Sequence, residues 1–206
     1  MIKNYFAALT AAALISVAPF ALAASSVDLT VTGTITPNAC TPSLSAGGLV
    51  EIGKISAKDL SPTTYTMVTD TPMDLTVDCD APMLFAINSI DNKPGTAADG
   101  INFGVGMTQA GQRIGVYAPV ILTVTADGVS SGAIESIDNG ASWIRAVSLA
   151  SNKITSASEV GGLVPIAAQN LVMGLSLKTW IAPADGLDLT DDVTIDGSAT
   201  FEMKYL

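Results

Sequence analysis

Two cysteines are the residues best suited to do chemistry in this sequence of 206 residues. Cys40 and Cys79 are 79 − 40 = 39 residues apart, far from the Cys-x-x-Cys spacing of redox-active pairs. Outside the cytoplasm a lone pair usually forms a structural disulfide, and two free thiols are the alternative. In the chain-entropy model, closing a loop of this size stabilises a fold by about 4 kcal/mol. We therefore predict a structural disulfide between Cys40 and Cys79.

Other chemistry is poorly supported by the composition. Histidine is absent, which excludes hydrolase triads and zinc sites that need it. Neither a Ser-x-x-Lys motif nor a paired-carboxylate motif stands out, so we expect no enzymatic activity and no cofactor. The acidic loop from Asp185 to Asp192 lacks the spacing of a known calcium loop, which favours a solvated turn over a calcium site. A net charge of −10 with few, scattered basic residues argues against nucleic acid as a partner.

The N-terminus resembles a secretory signal. Lys3 is followed by a nearly continuous apolar run from Tyr5 to Ala23 that ends in the small-residue pattern Ala-Leu-Ala. A membrane-spanning helix is the alternative, but Pro19 and the polar residues after Ala23 argue against it. We predict a signal peptide over residues 1–23 and a mature, exported chain of 206 − 23 = 183 residues. No later segment is apolar and long enough to predict a membrane span.

Directly after this signal comes an alternating segment. Val27, Leu29 and Val31 are alternate residues, and polar residues lie between them. Successive side chains of a strand point to opposite faces, so this pattern predicts a strand with one apolar edge. A terminal strand of this kind cannot bury its apolar face alone. It must join a sheet in its own molecule or in a neighbour.

Alternation recurs along the chain and sets the fold class. It predicts strands over 73–79, 171–177 and 193–205, while residues 41–48 read as a turn. No helical stripe of useful length follows the signal. Eight to ten strands separated by turns predict an all-β protein, an antiparallel β-sandwich in one domain over residues 24–206.

Three features together resemble subunits of chaperone–usher pili. The segment VTGTITPNAC, residues 31–40, is similar to the F-x-G-x-V-x-x-x-x-C first strand of pilins. A second cysteine, Cys79, ends a strand, and the last strand carries a penultimate Tyr205. More closely, the chain looks like the GltF-like family of poorly characterised exported bacterial proteins. That likeness rests on VDLTVTGTITPNAC, FGVG, DNGASW and TFEMKYL.

The pilin resemblance implies an immunoglobulin-like sandwich that lacks its final strand. A periplasmic chaperone would first fill the resulting groove, and the N-terminal strand of the next subunit would then replace it at the outer-membrane usher. The implied donor residues are Val27, Leu29 and Val31, and the implied acceptor and chaperone-binding residues are Phe201, Met203 and Tyr205. The implied location is the periplasm and then a fimbrium on the cell surface. The alternative is a self-contained periplasmic binding module of unknown ligand, whose first strand closes its own sandwich.

Overall fold

The computed structural model of the protein describes residues 29–33 and 39–206. The predicted signal peptide and the donor residue Val27 lie outside the described residues. Residues 39–206 belong to one compact unit that begins at Thr36. No helix in the described ranges is long and apolar enough to cross a membrane. The only helical elements there are three short 3₁₀ turns: Ser45–Gly48, Ala57–Asp59 and Ala184–Gly186.

Eleven strands build two antiparallel sheets in the described part of the chain. They are β1 (Cys40–Leu44), β2 (Thr66–Met83), β3 (Phe85–Asp91), β4 (Phe103–Gly104), β5 (Gly115–Ala126), β6 (Val129–Ser130), β7 (Gly132–Ser136), β8 (Ile144–Arg145), β9 (Lys153–Ser158), β10 (Ala168–Ile181) and β11 (Ala199–Tyr205). Sheet 1 has the order β1-β2-β10-β5-β4, with β6 also paired to β5; sheet 2 has the order β11-β3-β9-β7-β8. This confirms the predicted all-β sandwich.

The main core lies between the sheets and is built from the apolar side chains at alternate positions of the long strands. Leu75 and Val77 of β2 and Leu171, Met173 and Leu175 of β10 are each at most 1% exposed. In β2 the neighbouring residues Asp74 and Asp78 are exposed, as the alternation predicts. The same core cluster contains both cysteines, which are joined by the predicted disulfide. The bond therefore fastens β1 to β2 at the edge of sheet 1.

The structure differs from the prediction at β1, because Thr41 to Gly48 is not all turn. The Ala39 carbonyl accepts a hydrogen bond from Asp80 N–H at 3.0 Å, so the backbone groups of the odd-numbered residues face β2. Pro42 faces the free edge of the sheet instead. Proline has no backbone N–H, but at the free edge there is no neighbouring strand to accept a hydrogen bond from one. Proline is therefore compatible with an edge strand.

The last strand is shorter than the predicted 193–205. It begins at Ala199, which is paired with Asp91, the last residue of β3. Before Ala199 the pairing with β3 continues only through the Ser198 carbonyl, which accepts from Asn92 N–H, and Asp196 N–H instead donates to the Val105 carbonyl, both at 3.0 Å. The strand count exceeds the predicted eight to ten because β4, β6 and β8 have two residues each and carry no alternation.

Candidate functional site

A groove of about 940 Å³ opens on the side of the sandwich where β1 and β11 are the edge strands. Two extended segments border it: a first arm, residues 49–55, and a second arm, residues 187–198. Its floor includes inward-facing residues of sheet 1, among them Met73, Tyr117 and Leu177. The groove therefore gives access to the side chains between the two sheets.

The wall formed by β11 has an unpaired backbone edge. Asn92 N–H donates to the Ser198 carbonyl at 3.0 Å, and Leu206 N–H donates to the Leu84 carbonyl at 3.1 Å. Even-numbered backbone groups therefore face β3, and odd-numbered ones, from Ala199 onward, face away from it. Among the described residues, β3 is the only strand that pairs with β11. An incoming strand could form a ladder along this edge.

The inward face of β11 is apolar. Phe201 and Met203 are half-buried and pack against the main core, whereas Thr200 and Glu202 between them are exposed. Phe201 lines the groove. Met203 continues the same face beyond the groove lining. The wall thus combines free backbone groups with an apolar surface, which is what an alternating apolar strand needs from its acceptor.

The first arm forms another part of the groove wall, a role that its sequence pattern did not indicate. Val50, Ile52 and Ile55 are half-buried along it, and Glu51 and Lys54 are exposed. Val50 packs against the main core, and Ile55 against a second cluster around Ile114 and Ile181. None of the backbone groups of residues 50–55 is hydrogen-bonded to the backbone of another described residue. The short alternation Val50-Glu51-Ile52 was the available signal, but Gly53 breaks it.

An aromatic floor lies under the second arm. The Tyr117 ring stacks on Phe103 with centroids 5.1 Å apart, and Phe103 meets Phe201 edge-on at 6.2 Å. Burial, with a smaller contribution from the charge of Asp91, raises the pKa of Tyr117, so its hydroxyl stays protonated. A Cβ atom on Gly197 would lie 2.7 Å from the Tyr117 ring. Glycine at this position is therefore what lets the second arm cross so close to the ring.

Tyr205 connects β11 to β1, the two edge strands beside the groove. Its hydroxyl accepts a hydrogen bond from the backbone N–H of Cys40 at 3.0 Å. Because Cys40 belongs to sheet 1 and Tyr205 to sheet 2, this bond ties the two edge strands together beside the disulfide. The residue predicted to engage a chaperone thus has an intramolecular partner.

Replacing Tyr205 with phenylalanine should lower the free energy of unfolding by about 1 kcal/mol, since a partly buried hydrogen bond is lost while the ring remains. Chemical denaturation measures this loss. Tyr65→Phe is the matched control, because Tyr65 is similarly exposed, 46% against 39% for Tyr205, and its hydroxyl makes no hydrogen bond to another described residue. An unchanged unfolding free energy for Tyr205→Phe, or an equal loss in the control, would contradict the assigned role of this bond.

Of the predicted donor residues, the structure describes Leu29 and Val31. Their side chains are 89% and 86% exposed. Large apolar side chains with so much contact with water are unfavourable unless a partner covers them. Residues 29–33 are all exposed and none of them is in a strand, so the strand predicted from the alternation stays a prediction.

The acidic loop is also open to solvent. Asp185, Asp188, Asp191 and Asp192 are all exposed. Hydrogen bonds from the hydroxyl and the backbone N–H of Thr190 lower the pKa of Asp188. In the parts of the chain that the structure describes, no group of three or more cysteine, aspartate or glutamate side chains is placed to hold a metal ion.

Comparisons with known proteins find likeness without an assigned activity. Residues 29–102 match the family model described as "Protein of unknown function (DUF1120)". The chain is 28% identical over 251 aligned residues to "Protein GltF" of Escherichia coli (strain K12), covering 99% of this chain and 98% of the relative. It is 25% identical over 223 aligned residues to "Uncharacterized protein YhcF" of the same organism, covering 90% of this chain and 93% of the relative. The predicted likeness to GltF is thereby supported.

Proposed function

We propose that this chain is a structural subunit of a chaperone–usher fimbria and is assembled by donor-strand complementation. One observation carries the proposal: the groove is bordered by the first arm and, through Ala199 and Phe201, by the start of β11, and both segments have backbone groups that are unpaired in the described structure. A strand inserted between them would form hydrogen bonds along its backbone and bury alternate side chains. Both requirements are met at the same place.

The occupant is the N-terminal strand of a neighbouring subunit. Val27, Leu29 and Val31 supply alternate apolar side chains, and Asp28 and Thr30 would stay in water. Burying each large apolar side chain contributes about 1.5–3 kcal/mol. Three such side chains give only part of a durable joint, so the ladder with β11 must supply the rest.

A chaperone is required because the free subunit exposes what assembly later covers. An unpaired strand edge beside an apolar groove is a template for uncontrolled pairing with other chains. In the proposed pathway a periplasmic chaperone occupies the groove first, and the usher exchanges it for a neighbour's strand. The predicted signal peptide supplies the route to the periplasm.

A second function has one observation in its favour, the size of the groove. About 940 Å³ lies within the usual range for pockets that hold small ligands. Under this alternative the protein is a periplasmic binding module that works as a monomer and needs no chaperone. Its ligand would combine apolar groups, facing residues such as Met73 and Leu177, with polar groups facing residues such as Lys54 and Asp196.

The state of the purified protein separates the two functions. We expect wild-type protein to co-purify with a co-expressed periplasmic chaperone and, when released, to form polymers visible as a ladder on unheated gels. Protein expressed without the chaperone should aggregate or self-polymerise. A stable monomer that forms no chaperone complex and no ladder would contradict the fimbrial function and favour the binding module.

A further inference from the structure

One end of the sandwich carries an exposed apolar patch separate from the groove. At this end, called the Cys40 end, β1 begins and β11 finishes. Val129, Val160, Leu163 and Val164 are between 51% and 72% exposed. Val129 and Val160 line one shallow hollow of about 480 Å³. These four residues are called the end patch.

Strand register places the end patch at the Cys40 end in both sheets. In sheet 1, Leu171 pairs with both Val77 and Ala126, and Val129 of β6 pairs with Ala126, so Val129 lies beside the end of β5 on the disulfide side. In sheet 2, Tyr205 pairs with Phe85, and β9 runs toward that same end before the loop with Val160. Strands are about 4.8 Å apart, and β6 is four strand spacings from β1 in sheet 1, which puts Val129 about 19 Å from β1.

The opposite end also exposes apolar side chains. There Ile181 pairs with Thr66 and Gly115, so β2 and β5 begin and β10 finishes. Tyr65, Met67 and Met107 lie in or beside these strand ends and are 46%, 52% and 44% exposed. The two ends of the sandwich therefore both expose apolar side chains, and the two sets of side chains are different.

The direction of the donor strand relative to β11 decides which ends of the two subunits meet. A donor parallel to β11 would bring its own Cys40 end to the receiver's Cys40 end, and such like-to-like contacts close into pairs. A donor antiparallel to β11 brings its Cys40 end to the receiver's opposite end. That arrangement is head-to-tail and continues indefinitely, as a fibre must.

The tether limits how far apart the two bodies can lie. From Val31, the last of the three donor residues, to Cys40 is 40 − 31 = 9 residue steps. Nine steps cover at most about 32 Å, even when fully extended. The Cys40 end of the donor is therefore held within that distance of the receiving groove, at a high effective concentration.

We infer that the end patch binds a second copy of this chain, at the apolar residues of its opposite end, and so forms a rigid body-to-body contact beside the donor strand. The inference rests on the proposed function. The contact would stiffen the joint and slow its dissociation, because breaking it requires both the strand and the patch to separate.

The test uses Val160→Glu/Val164→Glu, which places two charges on the end patch. Leu122→Glu/Val147→Glu is the matched control, since these side chains are 62% and 69% exposed but lie on the long side of the sandwich. We expect polymers of the patch variant to dissociate at least about tenfold faster than wild type, equivalent to about 1.4 kcal/mol. Polymers of the control should dissociate at the wild-type rate.

A second measurement separates the patch from the groove. A synthetic peptide of residues 24–38 is titrated against full-length protein that carries Leu29→Asp, with and without the two patch substitutions. Equal peptide affinity together with weakened polymers supports the inference. Unchanged polymers, a control that is equally weakened, or a loss of peptide affinity in the patch variant would overturn it and leave the fimbrial function standing. If wild type binds no peptide and forms no polymers, both proposals are overturned.

Discussion

Replacing Leu29 with aspartate should abolish polymer formation without changing the melting temperature of the subunit. Leu29 is 89% exposed in its own chain, so the substitution removes no internal packing. In a neighbour's groove it would place a charge among apolar side chains such as Met73 and Phe201. That costs at least about 3 kcal/mol, which corresponds to more than about a hundredfold loss of affinity. Gel ladders and calorimetry measure the two effects.

Thr30→Asp is the matched control for this prediction. The same charge is added one residue further on, at another exposed position but on the polar parity of the strand. We expect this variant to polymerise as wild type does. If Leu29→Asp instead lowers the melting temperature and wild type shows no ladder, the segment closes its own sandwich and the binding-module function is favoured.

Removing the disulfide should produce the largest loss of stability. The variant Cys40→Ala/Cys79→Ala loses the cross-link of 39 residues, which corresponds to about 4 kcal/mol of unfolding free energy in the chain-entropy model. Both cysteines are buried in the main core, so small apolar replacements leave no unpaired polar group. The loss should be accompanied by loosening of β1, which the disulfide fastens to β2.

Chemical denaturation with and without a reductant checks this prediction. Reduced wild-type protein should unfold at nearly the same denaturant concentration as the double variant, and the variant should not respond to reductant. Mass spectrometry of the native exported protein should show the loss of two hydrogens that the disulfide requires. Two alkylatable thiols, or a stability loss well below about 1 kcal/mol, would contradict the assigned role.

Much of the sandwich was predictable because long strands with one buried face repeat with period two. Leu75 and Val77 in β2, and Leu171 to Leu175 in β10, illustrate this: their apolar parity became the core. Cys79 shares that parity, which is why it lies where Cys40 can reach it. The disulfide and the fold class follow from these local patterns.

The borders of the groove were less predictable because they depend on pairing, not on local pattern. Apolar and polar residues alternate in 193–197 as regularly as they do in 199–205. Only residues 199–205 have a partner strand, because β3 ends at Asp91. The first arm, residues 49–55, lies in the groove wall without a ladder. The hydrogen bond between Tyr205 and Cys40 spans 165 residues, and no sequence pattern indicates it. Contacts of this kind arise only once both sheets are assembled.

Crosslinking between copies tests the central claim most directly. A photo-crosslinking amino acid replaces Leu29 in one tagged copy, which is assembled with untagged wild-type subunits and the chaperone and usher. We predict that the crosslinks join the tagged copy to a different chain and map to the groove walls, near Val50 and Phe201. Crosslinks confined to the tagged chain itself, or crosslinks to other chains that avoid the groove, would contradict donor-strand assembly.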